Sequence, residues 1–418
     1  MALPKMIKIR QHFHAPAVEN IEATVAAEIR KPEIAWRIQP GQRIAITAGS
    51  RGIANISRII AAVAAEIKSY GAHPFIVPAM GSHGGATAEG QIEVLESLGV
   101  TEEKCGAPVI SSMDVVEIGQ TQSGTAVYMD RHASEADGVV LVARIKLHTD
   151  FKSPVGIESG LTKMAAIGLG KHKQALLLHS YGVPGIRDIM PEVGKVVIES
   201  GRIVFGLGIV ENAVEQTSIL EAIEPDRINE REQALLLASA AMYPKLPTDE
   251  LDILIVDEIG KNHSGTGMDT NIIGRMRIQG EAEPVSPRIK YVIAGDLSEE
   301  SHGNALGIGL ADLTTTRLVD KIDRKIMNEN VITSTFLSRA SVPITLDNDR
   351  AALTAALRAN WNVPEERARI ARIVSTLHVE HVYVSESVYE EIQASPNIET
   401  EGGWEEFRFD EDGNLPSF

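Results

Sequence analysis

The segment GVVLVA (138–143) is an apolar run with no polar interruption. Successive residues of a strand face opposite sides, so such a run needs cover on both faces. Parallel strands layered between helices provide that cover, and this one run already asks for an α/β architecture. The preceding chain agrees. RIAIT (43–47) is a short β-branched run entered from the turn Pro40-Gly41. After it, Ile56, Ile59, Ile60, Val63, Ala64 and Ile67 form one helical stripe, with Asn55 placed as its N-cap. Gly71 ends that helix and PFIVPA (74–79) reads as the next strand. Strand, helix and strand in this order predict parallel neighbours joined by a right-handed crossover. A further helix is expected over about 88–98, a hairpin over 195–213 with its turn at Ser200-Gly201, and a helix over 230–243.

PKLPTDE (244–250) carries two prolines and reads as a linker. A fresh α/β pattern follows: LDILIVDEIG (251–260), IKYVIAG (289–295), a helix near 304–310, VPITL (342–346), a helix near 349–359 and HVYVSE (381–386). The expected fold is therefore α/β: two α/β domains, 1–247 and 248–418, with parallel or mixed sheets and a substrate cleft between them. The polar tail from about 394 is expected to pack loosely.

Composition excludes several function classes. The chain has 57 acidic against 40 basic residues, a net charge of −17, and no basic run, which argues against a nucleic-acid partner. Its one cysteine, Cys105, rules out an internal disulfide framework and any cysteine-cluster metal site. The longest apolar stretches, such as IIAAVAAEI (59–67), are far below the ~20 residues that span a bilayer. MALPKMIKIRQHFHAP lacks the apolar core of a secretory signal, so the expectation is a cytoplasmic protein without membrane attachment.

Ligands of open parallel sheets bind at the carboxyl ends of the strands. RIAIT leads into AGSRG with Arg51, PFIVPA into MGSHGG with His83, and GVVLVA into RIKLHTDF with His148. One sheet could bring all three to one crevice. The segment 148–180 adds Lys163 and His179, with the strings GIESGLTK and IGLGK between, suited to holding a phosphate with backbone N–H groups. His172, between two lysines, reads as a solvated loop residue, and Met164, Ala165, Ile167 and Leu169 as core.

These residues resemble the nickel-pincer-nucleotide-dependent lactate racemase superfamily. The likeness rests on Arg51 after the first strand, Gly81-Ser82-His83 after the second, and the later His148, Lys163, His179 series. The SGxxK string (Ser159, Gly160, Lys163) and SGTGMDTN (264–271) look like two further motifs of that family. Ala48 stands where the family has an acidic residue, and GSHGG where it has GTHRP. The resemblance implies a racemase or epimerase of a 2-hydroxy acid, a divergent branch that works by hydride transfer to a pincer nucleotide. It implies His83 and His148 as paired catalytic bases and Arg51 as the fork for the substrate carboxylate. Lys163 would be the covalent cofactor tether, supported by Ser159 and Gly160, and His179 the nickel ligand. With Thr270 where the family's substrate glutamine is sought, Asn271 and Arg275 are the candidates for second-domain substrate binding. The implied partners are the small substrate and cofactor-maturation proteins.

The route makes chemical sense. The carbon of a 2-hydroxy acid is too weakly acidic for easy deprotonation, so hydride transfer to a cofactor avoids a carbanion. Each enantiomer presents its hydroxyl differently, which asks for two histidines. The competing readings are a non-catalytic two-domain binding protein for an anionic metabolite or nucleotide, and a metal-assisted hydrolase.

Overall fold

The computed structural model describes residues 3–418. In chain order its strands are β1 (Met6–Gln11), β2 (Arg43–Ala48), β3 (His73–Pro78), β4 (Val115–Gln120), β5 (Ala126–Asp130), β6 (Gly138–Arg144), β7 (Ile203–Glu211) and β8 (Thr217–Ile223). There follow β9 (Glu250–Ile259), β10 (Arg288–Leu297), β11 (Leu313–Thr315), β12 (Ile344–Leu346), β13 (Ile370–Ile373), β14 (His381–Ser385) and β15 (Ile398–Glu405). The chain divides into two compact units, His14–Tyr243 and Pro244–Phe418 with Met1–Phe13.

The His14–Tyr243 unit is built on a five-stranded sheet of order β3-β2-β6-β7-β8. β3, β2, β6 and β7 are parallel, and β8 closes the edge antiparallel to β7. β6 is buried along its apolar run, as its composition requires. The helix Ile56–Ser69 buries the expected stripe, including Ile59, Ile60, Val63 and Ile67. Ile44, Ile46, Phe205 and Leu207 meet the same core. Asn55 does not cap this helix: it sits in the left-handed region at φ 62° and donates its side-chain amide to Thr217. The hairpin expected over 195–213 is also different. Residues 195–199 finish the helix Met190–Glu199, whose Val193 and Val197 share a buried face. Gly201, at φ +77°, follows the helix as a left-handed stop. The hairpin partner of β7 is β8.

The second unit holds an eight-stranded mixed sheet of order β12-β11-β10-β9-β13-β14-β1-β15. The strands from β12 to β13 are parallel, while β14, β1 and β15 run antiparallel to their neighbours. The chain's first strand thus belongs to this sheet, paired between β14 and β15, and it buries Met6 on one face and Ile7 and Ile9, at alternate positions, on the other. The tail is not loose. β15 pairs with β1, and Phe407, Phe409 and Leu415 pack on the core of this unit. The helix expected near 304–310 shrinks to one 3₁₀ turn, Ile308–Leu310. Gly307 there lies at φ +106°, and a Cβ on it would fall 1.9 Å from the Thr266 carbonyl oxygen, so no side chain has room. Among the described residues, no helix is long and apolar enough to cross a membrane.

Candidate functional site

β2, β3 and β6 are adjacent and parallel, so Arg51, His83 and His148 all leave the carboxyl edge of one sheet. The His83 loop is held from beneath. Gly84 and Gly90 touch backbone to backbone, so the loop lies directly on the helix Ala88–Ser97. The Gln91 side chain donates to the carbonyls of Gly81 (3.0 Å) and His83 (3.2 Å). Lys171 donates in turn to Gln91 (3.1 Å) and to the Pro78 carbonyl, and pairs with Asp130 at 3.3 Å. Lys171 is fully buried at φ 53°. Lys171 of the IGLGK string is therefore an internal brace for the His83 loop. His172 is not purely solvated either, since its Nδ1 meets Ser82 Oγ at 3.0 Å. Ser50 Oγ stands 2.5 Å from His83 Nδ1 and so joins the Arg51 and His83 loops.

The His148 loop folds back on itself. Lys146 and Ser159 exchange backbone hydrogen bonds of 3.0 and 3.3 Å. Glu158, 4% exposed, accepts from the backbone N–H of His148 (2.6 Å) and of Ser153 (3.2 Å). Gly160 opens the helical turn Leu161–Lys163, which widens into the π-helical stretch Met164–Gly168. Such widenings are frequent at functional sites. Gly160 must lack a side chain, because a Cβ there would lie 2.0 Å from Glu232 Oε1. Glu232, on the helix Ile228–Ala241, accepts from the Thr162 N–H (3.0 Å) and hydroxyl (2.5 Å). Burial without a counter-charge pushes its carboxyl up to about 7, against the pull of the Thr162 bonds.

Within this frame His148 Nε2 lies 2.7 Å from Lys163 Nζ. The Asp150 backbone N–H donates to His148 Nδ1 at 3.0 Å, and Phe151 packs on the ring at 4.5 Å between centroids. Burial, reinforced by the Lys163 charge, holds His148 well below the ordinary histidine value, so it is neutral at pH 7. Burial brings Lys163 down to about 8; Asp150 opposes this, and Arg51 and Lys146 add to it. At the end of the helix Lys171–His179, crowding of the ring and then the Lys163 charge lower His179, with Asp150 again opposing. Crowding and Arg144 likewise lower Arg51 against Asp150, although the guanidinium stays charged. Asp150 is thus a carboxylate felt by Arg51, His148, Lys163 and His179 together.

The structure accordingly gathers Arg51, His83, His148, Ser159, Gly160, Lys163 and His179 into the His14–Tyr243 unit. Asn271 and Arg275 lie in the other unit. Asn271 opens the short helix Thr270–Ile273, its N–H bonded to Asp269. Arg275 is a structural clasp: its guanidinium binds Asp312 at 2.5 Å and the carbonyls of Ile289 (2.6 Å), Lys290 (2.9 Å) and Leu310 (3.3 Å). Sequence reasoning missed Asp150, Glu158 and Glu232. A signal for Glu232 existed, since it shares a helical stripe with buried Leu235, Leu236 and Ser239.

The fold and site define an α/β protein with a lysine-centred cluster of neutral histidines and an arginine at the carboxyl edge of a parallel sheet. Residues 5–183 match the family model of the lactate racemase N-terminal domain. Over that span the chain is similar to the lactate racemase N-terminal domain. The fold is similar to the solved structure of lactate racemase apoprotein from Thermoanaerobacterium thermosaccharolyticum, with a TM-score of 0.51 and 12% identity over 90% of this chain and 99% of that one. No curated protein matches the sequence.

Proposed function

We propose that this chain is a racemase or epimerase of a 2-hydroxy acid that works with a nickel-pincer nucleotide. The observation that carries the reading is the shared electrostatic neighbourhood of Arg51, His148, Lys163 and His179 around Asp150. The residues fit such a group. Lys163 has a lowered amine pKa suited to a covalent bond, and His179 keeps a lone pair at neutral pH for one metal bond. Among the described residues there is no group of three or more side chains suited to holding a metal, so a metal here needs donors from a bound group. When bound, the nucleotide supplies a ring that takes a hydride from the substrate carbon and returns it to either face.

The protein's own part is binding and proton handling. Arg51 holds the substrate carboxylate with paired N–H donors. Ser50 occupies His83 Nδ1, so His83 exchanges the hydroxyl proton through Nε2. His148, with the Asp150 amide on Nδ1, offers a proton at Nε2. One histidine is thus set to accept and the other to deliver, and the roles exchange for the opposite enantiomer. The test is chain co-produced with the cofactor-maturation proteins. It should gain the mass of the nucleotide on Lys163, hold about one nickel lost in His179→Ala, and interconvert the enantiomers of one member of a 2-hydroxy-acid panel. Loaded protein that leaves every such acid unchanged would sink the reading.

A further inference from the structure

The loop that carries His83 has a backbone that does not hold itself. Gly84, Gly85 and Ala86 follow one another at φ 65°, 63° and 55°, and the side chain of Ala86 is strained there. Such a run persists only when surrounding groups fix it. Side chains of a helix lean toward its N-terminus, so Gln91 of the helix Ala88–Ser97 reaches back over the loop that precedes it. Gln91 is fully buried, and carbonyls only accept, so its Nε2 faces those of Gly81 (3.0 Å) and His83 (3.2 Å). Its Oε1 then faces the Lys171 ammonium, which only donates, at 3.1 Å. The amide has one orientation that satisfies both sides, and the ammonium polarises it toward the carbonyls. Lys171 opens the helix Lys171–His179, and the next residue, His172, meets Ser82 Oγ at 3.0 Å. The first turn of this helix therefore grips the His83 loop twice, and its last residue is His179.

We propose that Gln91 is the positioning residue for His83: with Lys171 it locks the His83 backbone onto the helix that carries His179, so that the imidazole keeps one place for proton transfer. The role rests on the reading of His83 as a proton-handling residue. Ser50 Oγ, 2.5 Å from Nδ1, sets the ring, and Gln91 sets the backbone from which the ring hangs. Proton transfer needs heavy atoms within about 2.6–3.2 Å of each other. A misplacement of about 1 Å can cost ~10²-fold in rate. The His148 loop is closed by different groups, Glu158 and the Lys146–Ser159 backbone pair. Loss of the Gln91 donor should thus free one histidine of the pair and leave the other in place.

Two variants separate this role from one of merely filling the interior. Gln91→Glu keeps an acceptor for Lys171 and sets an oxygen, in place of the N–H donors, against the two carbonyls. Gln91→Met keeps the length and removes both polar ends. Hydrogen exchange of the full, unloaded chain, read by mass spectrometry, follows the amides of His83, Ala86 and Thr87, which bond within the loop to the carbonyls of Met80, His83 and Gly84. Each variant should speed their exchange about tenfold, the equivalent of one or two lost hydrogen bonds. The amides of His148 and Ser153, held by Glu158, should keep the wild-type rate. In the loaded chain each variant should lower kcat at least about tenfold and leave KM near wild type, because Arg51 rather than His83 holds the carboxylate. Wild-type exchange at His83, Ala86 and Thr87 in Gln91→Glu overturns the proposal. An equal rise in both loops overturns it too, because Gln91 would then support the fold as a whole. So does a raised KM with kcat retained. If one variant does not fold, the other decides by the same criteria. A loaded wild-type chain that turns over no 2-hydroxy acid defeats the racemase reading and leaves the exchange result standing. A chain that racemises with kcat unchanged in both variants defeats this proposal alone.

Discussion

His148 Nε2 and Lys163 Nζ stand 2.7 Å apart although 15 residues separate them in the chain. The intervening loop is drawn shut by the Lys146–Ser159 backbone pair and by Glu158, which collects the N–H groups of His148 and Ser153. The last link is Gly160, which lets the start of the Leu161–Lys163 turn lie against Glu232.

Gly160→Ala should therefore damage the site at a distance from its chemistry. The added Cβ would fall 2.0 Å from Glu232 Oε1 and 3.0 Å from Ile145 Cγ1. Both neighbours are in the interior, so the turn must shift. The expected cost is about 1–3 kcal/mol, the usual range for overpacking. Chemical denaturation measures the loss. Unchanged stability would mean that the close approach to Glu232 does not matter.

Glu232 makes stability depend on pH in an unusual sense for a carboxylate. Its folded pKa is raised from 4.5 to about 7, so the folded chain binds more protons than the unfolded chain between those values. This site's contribution is fully present below about pH 4.5 and is lost as pH rises through about 7. The swing is on the order of 3 kcal/mol. Glu232→Gln stays neutral and can still accept from Thr162. It should be stabilised relative to wild type at pH 8 and show little advantage at pH 5, read as melting temperature at the two values. An equal effect at both would show that Glu232 does not titrate in this range.

How far the site could be read from the sequence depends on the range of the interactions. β2, β3 and β6 and the loops carrying Arg51, His83 and His148 follow local patterns, an apolar run ended by small or charged residues, and they were legible. Lys163 and His179 were legible only through resemblance. Lys171 was visible only as the last residue of the IGLGK string, because its partners Asp130, Gln91 and Pro78 come from three other places in the chain. β1 looked like the start of the first domain because its partner β14 lies about 375 residues on, and no local pattern reports such pairing. Asp150 stood in the quoted RIKLHTDF loop two residues after His148, but no local pattern tells which charges a loop carboxylate faces.

Lys171→Met should be costly even though no substrate group is assigned to Lys171. Its ammonium is the buried partner of Asp130, which is itself 0% exposed. Removing one member of a buried pair leaves the other charge uncompensated, typically at ~3–5 kcal/mol. The double variant Lys171→Met with Asp130→Asn should recover much of that loss, because no charge is then stranded. Denaturation of the four forms as a double-mutant cycle gives the coupling. Additive losses would show that the two side chains do not act as a pair.

Arg51 and Arg275 are two arginines with opposite expected signatures. Arg51 leaves the carboxyl edge of β2 and is exposed, with Asp150 among its charged neighbours. Arg51→Lys keeps the charge but loses the paired N–H fork that matches a carboxylate. One lost charge-assisted hydrogen bond is worth about 1.5 kcal/mol, or about tenfold in KM for the loaded enzyme, with melting temperature little changed. Arg275 is 11% exposed in its side chain and is bound to Asp312 and the backbone of β10. Arg275→Ala strands those acceptors and should lower stability by about 1–3 kcal/mol. Its KM should stay near wild type at temperatures where the variant is folded. Arg277 also bonds Asp312, at 2.6 Å, so the clasp is weakened rather than abolished. A KM effect from Arg275→Ala without a stability loss would return Arg275 to the substrate site, and a stability loss from Arg51→Lys with unchanged KM would remove Arg51 from it.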